Sequence, residues 1–384
     1  MIGKIFSSMS LTLSLLLGGG HAAAQLPVDP ATLPRQIYSG EQGAFHVQGI
    51  AVDLERGHVW FSFTTSLLKT DMAGNLLASV EGMTGHLGCM SVNPEDGRLY
   101  ASIEYKHDAI GKGILDKLDG RQNDDATGFY IAVFDLDKID RIGMDAERDG
   151  VMQTVYIKEA VDDYHARVVN GGREWEHRHG CSGIDGVTFA PAIGRSDGRY
   201  YLYVAYGIYG DKERTDNDYQ VILAYDVRNW SRYEQPLSPQ NLHKSGPRRP
   251  LHKYFVYTGN TSWGIQNLAY DASTGNMYAA VYRGKKPSYP NYSLFAIDTS
   301  VKPRRETLKG YDPARRGAVA RGGGTPPRAE RHAGLRLQVG SNGIMSDRRR
   351  IFLYLAQCRD TRQEAPEQPS EALSPFDRSG QGVR

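Results

Sequence analysis

A strand–turn–strand unit that recurs along the chain constrains its fold more than any other feature. It first reads Gly49-Ile50-Ala51-Val52-Asp53, turns through Leu54-Glu55-Arg56-Gly57, and continues as His58-Val59-Trp60-Phe61-Ser62-Phe63. It returns as Met90 to Asn93, the turn Pro94-Glu95-Asp96-Gly97, then Arg98 to Ser102. A third copy runs Val187 to Pro191, through Ser196-Asp197-Gly198, to Tyr200–Ala205. A fourth runs Leu268 to Asp271, through Ala272-Ser273-Thr274-Gly275, to Asn276–Val281. Asp/Gly turns between runs of alternating β-formers predict hairpins. Each hairpin is followed by a third strand (66–70, 129–137, 221–227, 293–298), and outer strands follow at 76–80, 153–157 and 253–257. Four antiparallel strands recurring around a ring describe propeller blades, and neither a sandwich nor a barrel requires such a repeat. The expected fold is therefore all-β: a β-propeller with five visible four-stranded blades and room for a sixth.

The fifth blade opens at Ser341-Asn342-Gly343-Ile344-Met345, but Asp347-Arg348-Arg349-Arg350 stands where a tight turn belongs. A single-base shift of the reading frame near Asp347 would restore a better second strand, so this last blade is expected to be damaged. From about residue 312 the chain is rich in Arg, Gly and Pro without periodicity, a composition that buries little apolar surface. The expected organisation is a signal peptide over 1–24, a propeller domain over 25–357 and an irregular tail over 358–384. Lys4, the apolar run Leu11–Leu17 and Ala22-Ala23-Ala24 before Gln25 carry the export reading. The apolar run is too short to span a bilayer and is interrupted by Gly18-Gly19-Gly20. The expected location is periplasmic or secreted, with no membrane span after cleavage.

Composition adds exclusions. A net charge of +2 gives no electrostatic case for nucleic acid, while 43 Gly and 23 Tyr suit short strands joined by tight turns. Of three cysteines, Cys89 and Cys181 either pair or stay as two buried thiols, and the sequence leaves both open.

The blade pattern Gly-Ile-Ala-Val-Asp with its glycine turn, together with Lys69-Thr70-Asp71-Met72-Ala73-Gly74-Asn75, resembles the NHL and SMP-30-like propellers over roughly 45–300. The resemblance speaks to fold more than to activity. SMP-30-like propellers hold a divalent cation in the central channel with carboxylate and amide side chains. By that resemblance Glu104, Asp185, Gln266 and Asn342 would be metal ligands for calcium or a similar cation. Gln48 and His46 stand where the family's first-blade glutamate belongs, which is a departure from its pattern.

The residues also point to one face of the ring. The connections between second and third strands are long in three blades (106–127, 207–218, 283–291), as is the segment 162–186 leading into the third blade. Loops elaborated on one face of a rigid scaffold mark that face for function. In register, the repeats place Gln48, Gly88, Asp185, Gln266 and Asn342 at equivalent positions at the channel mouth, with His46 and His86 two residues earlier. His46, Gln48, His86, Asp185, Gln266 and Asn342, together with Trp263, form the expected ligand site, with Asp185 the catalytic candidate. Tyr105, Trp175, Tyr209, Trp263, Tyr289 and Tyr292 lie in or beside the long loops and could stack on a planar ligand. Glu176, His177 and His179 beside Cys181 match no zinc spacing, and the acidic loops 119–125 and 211–218 lack the spacing of a calcium hand; both are expected to be solvated loops.

The leading expectation is a propeller binding a small-molecule or glycan-like ligand at the channel mouth. The alternatives are a divalent-metal-dependent hydrolase or lactonase, and a protein-interaction platform built on the long loops.

Overall fold

A computed structural model describes residues 34–321 except 35, 44, 107, 109–110, 114–126, 196, 239 and 241, plus the backbone of 334–335, 344–346 and 352–354. The export segment, Asn342, the region of Asp347, the acidic loop 119–125 and the tail 358–384 lie outside the described residues.

The protein is a β-propeller. The first blade is β1 (Val47–Asp53), β2 (His58–Phe63), β3 (Ser66–Asp71) and β4 (Leu76–Glu81), paired in that order. The second comprises β5 (His86–Val92), β6 (Leu99–Tyr105), β7 (Gly128–Phe134) and β9 (Met152–Tyr156), while the short β8 (Met144–Asp145) crosses back and pairs in parallel with β4. After helix α1 (Lys158–His165) and the hairpin β10 (Arg167–Asn170) and β11 (Arg173–Glu176) comes the third blade. It is built from β12 (Cys181–Pro191), β13 (Tyr200–Ile208), β14 (Tyr219–Tyr225) and β15 (His252–Tyr257). The fourth holds β16 (Thr261–Asp271), β17 (Asn276–Arg283) and β18 (Leu294–Asp298). Then β19 (Arg304–Thr307) and β20 (Arg316–Val319) return to the third blade, where β20 runs parallel to β15. β21 (Gly334–Leu335) completes the fourth sheet.

The inner strands follow one another around the ring as β1, β5, β12 and β16. The hairpin of β22 (Ile344–Ser346) and β23 (Phe352–Tyr354) places β22 against both β16 and β1, where a fifth inner strand belongs. The described ring thus consists of four blades and this short hairpin.

The turn residues act as their chemistry dictates. Asn93 Oδ1 accepts the Glu95 amide, and Asp271 Oδ1 accepts the Ser273 amide, at 3.0 and 2.9 Å. Gly97 and Gly275 then take φ of +68° and +71°, a region that favours glycine. Core residues interlock between neighbouring blades: the ring of Tyr100 in β6 meets Phe189 in β12 edge-on at 5.0 Å. Burying each such side chain stabilises the fold by roughly 1.5–3 kcal/mol.

One expectation is corrected. The segment 162–186 is not an open loop, because it contains the end of α1, the β10–β11 hairpin and the start of β12 at Cys181 rather than Val187. β16 likewise begins at Thr261, well before Leu268. Both strands are interrupted by bulges, which break the alternation by which a strand is recognised. The cysteines also resolve, with Cys89 and Cys181 free and buried.

Candidate functional site at the channel mouth

The positions that the repeats place in register are β-bulges. In β1, Gln48 is the extra residue between the pairs Val47–Phe63 and Gly49–Ser62. In β5, Gly88 and Cys89 together oppose the single residue between Ile103 and Ala101. In β12, Asp185 and Gly186 are skipped between Ile184–Tyr206 and Val187–Val204. In β16, Gln266 is skipped between Ile265–Val281 and Asn267–Ala280. A bulge breaks the ladder locally and re-aims a side chain; repeated from blade to blade, it recurs at the same end of the four inner strands.

Second-strand serines tie these bulges together. Ser62 donates to the Gly88 carbonyl at 2.6 Å, and Ser102 donates to the Asp185 carbonyl at 2.8 Å. The third blade has Ala205 at the corresponding place, and there Gln266 Nε2 reaches across to Asp185 Oδ2 at 2.9 Å while also donating to the Trp263 carbonyl at 3.0 Å.

Into this ring the end of β6 sends Glu104, with Lys106 two residues on and therefore on the same face. Glu104 is 4% exposed and Lys106 8%. Lys106 Nζ lies 3.2 Å from Glu104 Oε1 and 3.1 Å from the Ser182 carbonyl, with Asp108 at 3.9 Å. The other carboxylate oxygen, Glu104 Oε2, points at Gly183, where a Cβ would collide with it. Glu104 Oε2 is buried without a hydrogen-bond partner, and so is His86 Nδ1, whose ring stands 3.8 Å from Glu104 Oε1.

The charges act on one another. Asp185 is pushed up to about 7, by burial first and then by the Glu104 carboxylate, against the opposing pull of His86, Lys106 and the Gln266 amide. Burial alone would lower the Lys106 ammonium, but Glu104, Asp108 and Asp185 hold it above its ordinary value. A carboxyl group that titrates near neutrality can take up or give a proton at physiological pH, so the cluster has the means for acid–base chemistry as well as for binding.

The expected residues divide. His86, Glu104, Asp185 and Gln266 come together, and Trp263 joins them through its carbonyl. His46 and Gln48 pair with each other at 3.0 Å on the first blade, and Gln48 also approaches Thr64. Among the described residues no group of three or more His, Cys, Asp or Glu is arranged to hold a metal ion. Lys106 was not among the expected residues. Its signal was the Glu104-Tyr105-Lys106 alternation at a strand end.

Several loop residues do other work than expected. Tyr105 and Tyr292 are buried, and the Trp175 indole lies between the guanidinium groups of Arg173 at 4.0 Å and Arg214 at 5.1 Å. Tyr209 donates to Asp108, and Tyr289 to Asp218. Of the six aromatics considered for stacking, Trp263 is the exposed one, at 43%. The segment around His179 is solvated only in part: Glu176 is exposed, but His179 is buried, bonded to the Tyr311 hydroxyl at 2.7 Å, and burial holds its pKa well below the usual value. Nor is 211–218 solvated throughout, since Arg214, Asp216, Asn217 and Asp218 are buried in an ionic network.

No protein-family model matches the chain, and no curated protein matches it in sequence. Several solved structures align with the chain. A protein of unknown function from Bacteroides caccae aligns at 11% identity and a TM-score of 0.30, over 73% of this chain and 88% of that one. The Dos1 propeller aligns at 12% identity and a TM-score of 0.30, over 66% of this chain and 45% of that one. The Myceliophthora thermophila Cps50 (Swd1) β-propeller domain aligns at 10% identity and a TM-score of 0.30, over 79% and 78%. Among the described residues no helix is long and apolar enough to cross a membrane.

Proposed function

We propose that this propeller binds a small polar ligand at the channel mouth, through His86, Glu104, Asp185, Gln266 and Trp263. The observation that carries the reading is Glu104 Oε2, a buried carboxylate oxygen with no hydrogen-bond partner, with His86 Nδ1 facing Glu104 Oε1 at 3.8 Å and making no hydrogen bond. Leaving a buried polar atom unsatisfied costs about 1–3 kcal/mol, more when it is charged. Such a deficit is repaid when a ligand supplies the missing partner. The export reading of residues 1–24 belongs to the same proposal and sets the site outside the cytoplasm. A library of small sugars, amines and organic acids, screened by thermal shift, tests it. A compound that raises the melting temperature of the wild type but not of Asp185→Asn supports the site. No stabilising compound, or equal stabilisation of both proteins, contradicts it.

The metal-dependent hydrolase is the second reading, favoured by the mutual repulsion of Glu104 and Asp185. A divalent cation held by Glu104, Asp185 and Gln266 would relieve that repulsion and could activate a water molecule. Against it, Lys106 already supplies a positive charge to Glu104. Metal analysis of the purified protein, with melting before and after chelation, separates the readings: a stoichiometric cation whose removal lowers the melting point selects the hydrolase.

A further inference from the structure

Resting on the channel-mouth reading, we infer that the ligand bound there carries a protonated amine, which donates to the buried, unpartnered Glu104 Oε2 beside Asp185. The balance of groups at the site gives the sign. Glu104, Asp185 and Asp108 present carboxylates, and Lys106 presents the ammonium among them. Lys106 is already engaged with Glu104 Oε1 and the Ser182 carbonyl. An anionic ligand would meet surplus negative charge with no free cation to receive it. A neutral hydroxyl could donate, but only an ammonium also gains the Coulomb attraction of opposite charges, which strengthens where water is excluded. An ammonium therefore gains most from this acceptor.

The exposed indole of Trp263 extends the site in the same chemical direction. A bulge leaves Trp263 and Gly264 unpaired between the Ser262–Tyr282 and Ile265–Val281 pairs. The Trp263 carbonyl shares the Gln266 amide with Asp185, so its backbone is tied to the cluster. An indole face attracts cations by about 0.5–1 kcal/mol when exposed. Carboxylates in the cluster and an exposed indole whose backbone is tied to it suit an organic ammonium better than an acid or a neutral polyol.

Benzylamine and benzyl alcohol form a matched pair of probes, alike in ring and size but different in charge. Binding is read at pH 8 by calorimetry and by quenching of tryptophan emission. Trp60 and Trp230 are buried and Trp175 is flanked by arginines, so quenching reports chiefly on Trp263. For a fragment this small the amine is expected to bind with a Kd on the order of 1 mM, and the alcohol at least about tenfold more weakly. Glu104→Gln should reduce the preference to less than about twofold, because the amide removes the charge and keeps the shape. Asp185→Asn should do the same, which keeps the test open if one variant folds poorly.

Acidification supplies a further readout. The groups facing Asp185 are Glu104 and Lys106 at the end of β6, His86 at the start of β5 and Gln266 in β16. As pH falls through about 7 Asp185 takes up a proton and its charge is lost, so the preference for the amine should shrink while benzylamine itself stays protonated. Equal binding of the two probes overturns the amine inference but leaves the channel-mouth reading standing. Binding of neither probe overturns the amine inference as well, and the library screen against Asp185→Asn then decides the broader reading independently.

Discussion

The cluster around Lys286 bonds every charged group it holds, whereas the cluster around Glu104, a few strands away, leaves a buried carboxylate oxygen without a hydrogen bond. Lys286 Nζ donates to the Arg214 carbonyl, to Asn217 Oδ1 at 3.1 Å and to Asp218 Oδ1 at 2.7 Å. Tyr289 closes Asp218 Oδ2 at 2.6 Å. Arg214 grips Asp216 through two nitrogens at 2.8 and 3.0 Å and covers the carbonyls of Glu176 and His177. Each charged group there is bonded, although the amide oxygen of the adjoining Asn291 has no hydrogen bond, and the network pins the β13–β14 and β17–β18 connections together. At Glu104 the same kinds of group leave Oε2 without a hydrogen bond, and His86 Nδ1 reaches only within 3.8 Å of Glu104 Oε1. A saturated network reads as scaffold, and an unsaturated one in a ring of bulges reads as a receptor for something from outside.

The contrast breaks most visibly if the saturated cluster is cut. Lys286→Ala strands Asp218, Asn217 and the Arg214 carbonyl in a buried setting, and removing one partner of a buried pair costs about 3–5 kcal/mol. Denaturant unfolding should show a loss of that size; a change below about 1 kcal/mol would mean the network is peripheral.

Gly183→Ala probes how the open cluster is positioned. The residue has φ of +134°, and its new methyl would collide with Glu104 Oε2. A destabilisation of about 1–3 kcal/mol is expected from the crowding and the backbone strain. If instead the variant is as stable as the wild type, Glu104 has room to move and is not held as described.

A subtler effect concerns pH. The Asp185 carboxyl sits near 7 in the folded state against an ordinary value of 3.8, so between those values the folded protein binds the extra proton. Its contribution to stability is therefore complete below about pH 4 and is lost as pH rises through about 7. Asp185→Asn should remove this component of the slope, seen as a flatter plot of unfolding free energy against pH from 4 to 7. An unchanged slope would show that Asp185 titrates normally.

Much of this was legible in the sequence, and the parts that were not have physical reasons. The repeat register placed Gln48, Gly88, Asp185 and Gln266 at equivalent positions, and the structure turns those positions into bulges. The same bulges concealed the true length of β12 and β16, because each inserts a residue that breaks the alternation. Charge misled at 211–218, where acidic residues suggest solvation; their partner Lys286 is 68 residues beyond Asp218, out of reach of any local reading. Lys106 was overlooked for the same reason, since only the folded ring brings it against Ser182.

Whether the Glu104 cluster is kept for a ligand rather than for the fold is measured directly by the unfolding free energy of Glu104→Gln. The amide oxygen can still accept from Lys106, with Asp108 and Asp185 remaining as counter-charges. The predicted result is a stability within about 1 kcal/mol of the wild type, or above it, because Lys106 keeps an acceptor while the repulsion between Glu104 and Asp185 is removed. A loss as large as that of Lys286→Ala would make the Glu104 cluster part of the scaffold and contradict the account.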